Sequence, residues 1–586
     1  MLTVVTALAF ANAWPNAVVL DDKFFVNNPH LPNWTEPEEM FRGDVWRTTT
    51  AHSDLFRPAL FVSLSIDSRL FGGWLAGYHL SNIVLHLAVT LCLYGFLLHL
   101  LRALPCPPER ADFHALLAAL VFAVHPVHTE AVNSVFNRSD MLVTLGALAG
   151  LWWLLHHLRR RPALAWAGLG VCYLLAMLSK ETGVVIPGIA VALILLLSDD
   201  HWSRRIRRGL PVLWLLLPLA LYFYLRARAL TVEIPQLAGT ALPGGGKAGG
   251  LEWAGLRGLL EVFGYWGEGL RLMVWPHPLK LYYGAPTPLA WTVLVVVQAG
   301  LLVTGLLQLR RGGRSTLLTA LAWYYLALLP ASRLIGPHGS EPGLAERYLY
   351  FASAGPTLGL AFLLAWFGRR YERRRVLLPV LLAVLALMPV TWVRNNDWRT
   401  DVRLFEKEYR LSGDHEETLR LVTAAHQKRG NHARGAEICD RHTERFGPLA
   451  QFTLNCGSLY HMLGRSEDAE RAFLAILEAE GKNAGASGNL ALLYLQSGRV
   501  EEAVEAFKRA IETERDPAVK ILRRGLMVAY LYPRDRDRLA QARAFFDAAY
   551  EIQPMMTMAR AYSEMMDAAI EKLAKEESAP EGTATD

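Results

Sequence analysis

Up to about residue 393 the chain is a succession of apolar stretches, most of them long enough to cross a bilayer. A spanning helix needs about 20 apolar residues, and in lipid it must satisfy all its own backbone N–H and C=O groups. The expectation is therefore an all-α, polytopic membrane protein. Spans are predicted to begin near Leu2, Tyr78, His114, Met141, Ala163, Gly183, Leu210, Leu289, Thr316, Tyr348 and Val376, about eleven in all. From Arg394 onward the chain is rich in Ala, Glu and Arg, with no stretch of that length. Hydrophobic residues make up 52% of the 586 and the mean hydropathy is +0.20, a balance that fits partial embedding.

The net charge of +6 would suit a nucleic-acid partner, but the basic residues sit in short loops between spans, so membrane topology accounts for them. Arg102/Arg110, Arg159–Arg161, Arg204–Arg208, Arg310–Arg314 and Arg369–Arg375 mark cytoplasmic turns. These alternate correctly only if Leu251–Lys280 does not cross. That stretch places Arg257, Glu261, Glu268 and Arg271 at helical spacing beside Trp253, Trp266 and Trp275, the pattern of an amphipathic helix lying in the interface. A twelfth span there would put the Arg310 cluster outside. With the interfacial reading, the first outer loop (21–77), the outer loop 228–287, the segment His125–Asp140, the Lys180 turn and the Pro337–Arg347 loop share the non-cytoplasmic face. The chain after the last span joins them there. Met1–Leu20 lacks the positive start and small-residue cleavage site of a signal peptide and reads as a first span, with a longer N-terminus expected from its missing basic flank. The five cysteines form no CxxC, so no zinc site is expected.

Beyond the spans, Gly430, Gly464 and Gly498 are spaced 34 residues apart, the period of the tetratricopeptide repeat. Each such unit is a helix–turn–helix that buries its apolar face only by stacking on its neighbours. Ala503, Phe507 and Ala510 follow Tyr494 and Gly498, and Ala469 and Phe473 follow Gly457, Tyr460 and Gly464 in the same order. A further copy, with Ala542, Phe546 and Ala549, arrives about five residues late, and His426/Gly435 mark a degenerate first one. The domains expected are thus 1–393 in the membrane, 394–575 as repeats and 576–586 as a disordered tail. The array would offer a groove for peptide, or act as a structural cap. Cys439 and Cys456 fall on repeat core positions, where buried small side chains and a disulfide both fit.

His125, His128, Glu130, Arg138 and Asp140 crowd into sixteen residues between two apolar spans. Ionisable groups at membrane depth cost roughly 2.5–3.5 kcal/mol each at a helix centre, and so tend to be kept for function. Asp21-Asp22, just past the first span, can supply a general base or a metal or hydroxyl anchor, or simply a solvated helix end. Asn27-Asn28-Pro29 follows as a turn signal. His79, Asn82 and His86 form one polar stripe on the second span, facing protein or a cavity: a hydrogen-bond seam or a substrate contact. Arg57, Arg138, Lys180 and Arg347 could gather a lipid phosphate, although Lys180-Glu181 could equally be an ion pair satisfying itself. Collected on one face, these groups suit transfer of a group from a polyprenyl phosphate. The cations would stabilise the leaving phosphate while a carboxylate takes the acceptor proton, with Asp22 the expected base, Asp21 its supporting anion and Glu130 next in line.

The order of these motifs resembles the transmembrane and tetratricopeptide-repeat-containing family of O-mannosyltransferases. The likeness rests on Asp21-Asp22 with Asn28-Pro29, Arg57-Pro58, Tyr78-His79-Leu80-Ser81-Asn82 with His86, His125-Pro126-Val127-His128-Thr129-Glu130, Ser179-Lys180-Glu181, and Glu346-Arg347-Tyr348-Leu349-Tyr350. It implies a GT-C glycosyltransferase fold, catalysis on the outer face, a polyprenyl-phosphate sugar as donor and the hydroxyls of exported proteins as acceptors. For a bacterial member, it implies the inner membrane with its site on the periplasmic side. His79, Asn82, His86, His125, His128, Asp140, Glu181 and Glu346 become substrate-binding candidates. No cofactor is called for with certainty, and a divalent cation stays open. Two departures stand out: Glu346 where the family usually has Asp, and Asn137-Arg138-Ser139-Asp140 where it usually has Gly-Arg-Lys-Asp. A GT-C enzyme acting on a lipid or polymer, and a non-catalytic scaffold, are the competing readings.

Overall fold

The structure, a computed structural model, describes residues 1–26, 40–41, 55–103, 108–198, 200–231, 255–284, 287–332, 344–412, 415–446, 450–553 and 556–578. The Asn27-Asn28-Pro29 turn, residues 337–343 of the expected outer loop, Trp253 and the end of the tail (579–586) lie outside them. The described chain is all helical, apart from one isolated antiparallel bridge between Tyr283 and Leu344. It forms two compact units, one ending at Arg403 and the other beginning at Leu404.

The first unit opens with α1 (Leu2–Ala9) and a 3-10 turn at Leu20–Phe24, followed by α2 (Pro58–Phe71), α3 (Leu75–Ala103), α4 (Pro108–Val124) and the short α5 (Thr129–Asn133). Then come α6 (Arg138–His157), α7 (Pro162–Ser179), α8 (Ile186–Leu197), α9 (Trp202–Gly209), α10 (Leu216–Thr231) and α11 (Gly255–Val274). It closes with α12 (Pro288–Gly312), α13 (Thr316–Leu328), α14 (Glu346–Ala352), α15 (Ala354–Gly368) and α16 (Arg373–Asp397), and α17 (Asp401–Ser412) begins at its end.

By length and composition, six helical stretches among the described residues can cross a membrane, or eight if two bent pairs each count as one span. The bent pairs are Arg110–Val124 with Pro126–Asn133, at 52°, and Glu346–Ala352 with Ala354–Gly368, at 48°. At the first break stands Pro126, which lacks the N–H a continuous helix would use. The bend turns the His125–Asn133 segment across the end of the bundle. Of the other expected spans, Glu181–Leu197 and Thr316–Ala331 are shorter apolar helices. The first is the eight-residue α1, and α11 is not among the candidate spans. The α11 helix leans on its successors, its Leu260 and Trp266 carbonyls accepting from Trp291 Nε1 (3.0 Å) and Tyr324 Oη (2.6 Å). The unit boundary falls ten residues beyond the expected one at 393. The reason is local: the polar end of α16, with Arg394, Asn395 and Trp398 all buried, is folded into the membrane unit.

In the second unit the helices pair as α18 (Glu416–Lys428) with α19 (His432–Phe446), α20 (Ala450–Met462) with α21 (Ser466–Glu480), α22 (Ala484–Gln496) with α23 (Val500–Thr513), and α24 (Pro517–Leu531) with α25 (Arg536–Ile552). A single helix, α26 (Thr557–Ser578), follows. The 34-residue period has a backbone cause. Gly430, Gly464 and Gly498 stand at the first three intra-repeat turns with φ of +76°, +73° and +73°, a region that side-chain-bearing residues avoid. Ala469, Ala503 and Ala542 are completely buried, and Phe473, Phe507 and Phe546 are at most 1% exposed. At Gly457 a Cβ would fall 2.4 Å from the Phe473 ring, so the ring occupies the place of a side chain. Cys439 and Cys456, left open by the sequence, are joined in a disulfide between α19 and α20.

This packing predicts that Gly457→Ala, by overfilling the α20–α21 contact, costs about 1–3 kcal/mol. Phe473→Ala, by emptying it, should cost about 3–5 kcal/mol. Hydrogen exchange over α20 and α21 in the intact protein should rise in both variants, more in the second.

Candidate active site

The Asp21-Asp22 pair sits in the 3-10 turn Leu20–Phe24, entered through Leu20 at φ +52°, the one non-glycine with positive φ among the described residues. Such backbone costs of order 1–3 kcal/mol and persists only where its surroundings hold it. Asp22 is completely buried. Its Oδ1 accepts from Ser134 Oγ (2.9 Å) and the Phe136 N–H (2.8 Å), and its Oδ2 accepts from the Val135 N–H (2.9 Å). Burial outweighs these three donors and raises its pKa to about 7. Asp22 therefore holds the 134–136 backbone through both carboxyl oxygens. Its neighbour Asp21 is only half-buried.

The same short segment leads to the cations. Phe136 lies under the Arg57 guanidinium, 5.6 Å from its ring centre, and stacks on Phe25 at 4.8 Å. Arg57 donates to Glu181 from Nε and Nη2 at 2.9–3.3 Å. Lys180 Nζ grips both oxygens of Asp140 at 2.7 and 2.6 Å. Arg347 donates its backbone N–H (2.9 Å) and Nη1 (2.8 Å) to Glu130, which is completely buried. Asp140 interacts electrostatically with Lys180, Arg57 and Arg347 together, and the Tyr348 ring lies 5.8 Å from Lys180 and 4.9 Å from Arg347. Three of the four expected phosphate cations thus converge on one patch. Each brings a carboxylate partner, so the patch is balanced in charge until an anion arrives.

Arg138 stands apart from them. It donates to Asn82 Oδ1 (2.8 Å), Asp67 Oδ2 (2.5 Å) and the Tyr78 carbonyl (3.2 Å), and its side chain is 3% exposed. Asn82 in turn donates to the Val132 and Ser134 carbonyls at 3.0 and 2.9 Å. Both residues knit α2, α3 and the 132–138 segment together instead of reaching a ligand. Glu346 is likewise in the core, accepting from Tyr283 Oη and Arg394 Nη2, each at 3.1 Å.

The histidines are pins as well. His86 Nε2–H donates to the Ala123 carbonyl (3.2 Å) and its Nδ1 meets Tyr350 Oη (2.8 Å). His128 pairs with the Phe122 carbonyl (2.9 Å) and Ser353 Oγ (3.0 Å), and His125 with the Met273 carbonyl (3.1 Å). His79 is buried at 1% exposure. His86, His125 and His128 thus tie neighbouring segments together. Among the described residues no group of three His, Cys, Asp or Glu side chains could hold a metal ion.

Asp67, Tyr283, Arg394, Lys23 and the asparagines 16, 133 and 395 were not legible as site residues. The one signal was the run Arg394-Asn395-Asn396-Asp397 closing an apolar span, where ionisable and amide groups need partners.

A tetratricopeptide-repeat family model matches residues 457–519. The chain is 25% identical over 452 residues to the Mus musculus protein O-mannosyl-transferase TMTC4, an alignment covering 68% of this chain and 60% of the relative. It is 28% identical over 491 residues to Drosophila melanogaster protein O-mannosyl-transferase Tmtc3, covering 71% and 51%, and 23% identical over 514 residues to Homo sapiens TMTC3, covering 80% and 54%. Its homologues are TMTC-type protein O-mannosyltransferases. The resemblance drawn from the motifs is borne out by them, and the alignments span between half and 60% of the relatives' length.

The state of Asp22 has a measurable consequence. An unfolded Asp loses its proton near pH 3.8, whereas folded Asp22 keeps it to about 7. Between those values the folded state binds more protons, so this group's contribution to stability falls as pH rises. The melting temperature of the wild type should fall relative to that of Asp22→Asn from pH 4 to 7, then run parallel to it above 7.

Proposed function

We propose that the chain is a membrane glycosyltransferase that moves a hexose, mannose by analogy with the names of its relatives, from a polyprenyl-phosphate donor to Ser or Thr hydroxyls of exported proteins. The acceptor oxygen attacks the anomeric carbon, the bond from that carbon to the phosphate oxygen breaks, and the hydroxyl proton passes to Asp21. The departing polyprenyl phosphate gains negative charge, which Arg57, Lys180 and Arg347 stabilise. The observation that carries this reading is Phe136, whose N–H holds Asp22 while its ring lies against Arg57. It puts the carboxylate turn and the cations on one short segment.

An apolar groove of about 750 Å3 supports a lipid-linked donor. Trp166, Gly170 and Leu174 of α7 and Trp214, Leu215 and Leu221 before and along α10 line it. The groove runs along α7 from Pro162 to Leu174, and Lys180 follows the last residue of that helix, Ser179. We place the site and the repeats on the periplasmic side of a bacterial inner membrane. The arginine clusters between spans support this sidedness, as does the Cys439–Cys456 disulfide, which fits an oxidising compartment.

Two measurements follow. Asp21→Asn should lower transfer from polyprenyl-phosphate mannose about 10²–10⁴-fold with little change in donor KM; near wild-type transfer would move the base elsewhere, with Glu130 tested next. Non-reducing peptide mapping of protein from intact cells should recover residues 439 and 456 cross-linked. Two free thiols would argue for a reducing compartment and against the assigned face.

A further inference from the structure

The Leu20 kink that presents Asp21 is clamped from both sides. Before the kink, Asn16 Nδ2 donates to Asn133 Oδ1 (2.7 Å) and to the Asn395 carbonyl (2.9 Å), and the Ala17 N–H donates to the Arg399 carbonyl (3.2 Å). After it, Asp22 holds the 134–136 backbone and Lys23 Nζ pairs with Asp401 Oδ2 at 2.5 Å. Three of these four anchors therefore land on the seven residues Asn395–Asp401, the end of the last span and the first residue of α17.

Asn395 is the hub. It is completely buried, its Oδ1 accepts from Asn133 Nδ2 (2.8 Å), and its Nδ2 donates to Asn12 Oδ1 (2.9 Å) and the Ala9 carbonyl (3.1 Å). Amides buried and bonded to one another in this way resist rearrangement, because each bond broken leaves polar groups unpaired out of water. A left-handed leucine needs such a frame, since without one it relaxes toward ordinary backbone angles. Relaxation at Leu20 would swing Asp21 while leaving Arg57, Lys180 and Arg347, which are held by their own ion pairs, in place.

We propose that Asn395 and Asp401 are positioning residues for Asp21, the end of the last span setting where the base stands. The proposal rests on the role given to Asp21 above. It predicts a fault in catalysis without a fault in donor binding, because Asn395 and Asp401 touch the carboxylate turn and not Arg57, Lys180 or Arg347.

The Lys23–Asp401 pair is the cleanest handle, because the Lys23 side chain is 30% accessible and its replacement need not unfold the protein, whereas Asp401 is buried. The full-length chain would be compared with Lys23→Met, Asp401→Asn and the exchange Lys23→Asp/Asp401→Lys. One readout is transfer from polyprenyl-phosphate mannose to a Ser/Thr peptide. The other is the mobility of a spin label on Asp21→Cys in a Cys92→Ala/Cys106→Ala/Cys172→Ala background, which needs no activity. Each single variant should free the label and lower kcat about 10- to 100-fold, with donor KM unchanged, and the exchange should restore both. A label as immobile in the single variants as in the parent would overturn the anchoring. A freed label with undiminished transfer would show that the turn is anchored but that Asp21 is not the base, overturning the proposed function along with the positioning role. Lost transfer that the exchange does not restore, with the label still held, would also reject it.

Discussion

Taking a carboxylate or guanidinium out of water costs several kcal/mol unless it is paired, and this cost organises the membrane unit. Arg138 with Asp67, Lys180 with Asp140, Glu346 with Arg394 and Glu130 with Arg347 all have at least one side chain no more than 3% accessible. None of the four could be buried alone. Each pair also joins separate elements, so the helices that carry them can assemble only in the one arrangement that brings every partner together.

Neutral groups complete the scaffold under the same rule. The amides of Asn16, Asn82, Asn133 and Asn395 and the rings of His86, His125 and His128 direct their hydrogen bonds to other segments of the membrane unit. Charges held on such a frame are preorganised: they are fixed in advance and need little rearrangement when charge develops beside them. The strained turn at Leu20 fits the same pattern, a local cost borne by a rigid surround.

The segment 125–140 also shows how a polar cluster divides its labour. Sequence proximity suggested that His125, His128, Glu130, Arg138 and Asp140 act together on a substrate. In the structure Arg138 and the histidines support the site, while Glu130 and Asp140 balance Arg347 and Lys180. Pairing partners decide this division, and apart from the Phe122 carbonyl beside His128 they come from 40 to 225 residues away in the chain. Asp22 illustrates the same point against its neighbour: adjacent carboxylates are chemically equivalent in the sequence, and only the three donors of 134–136 distinguish the buried one.

Apolar length and period needed no tertiary information. Helices in lipid must close their own hydrogen bonds, so the all-α membrane half was legible from the stretches themselves. The glycine at each early repeat turn has a left-handed backbone that other residues avoid, so the 34-residue spacing carried the repeat array. The polar segments were legible as costly and hence as worth attention, but not by role. Which aspartate is buried, which cations converge on Asp140, and that the end of the last span grips the Asp21 turn were decided by the tertiary structure alone. Charge and hydrogen-bond pairing act across space, and a lone sequence records only which groups need a partner.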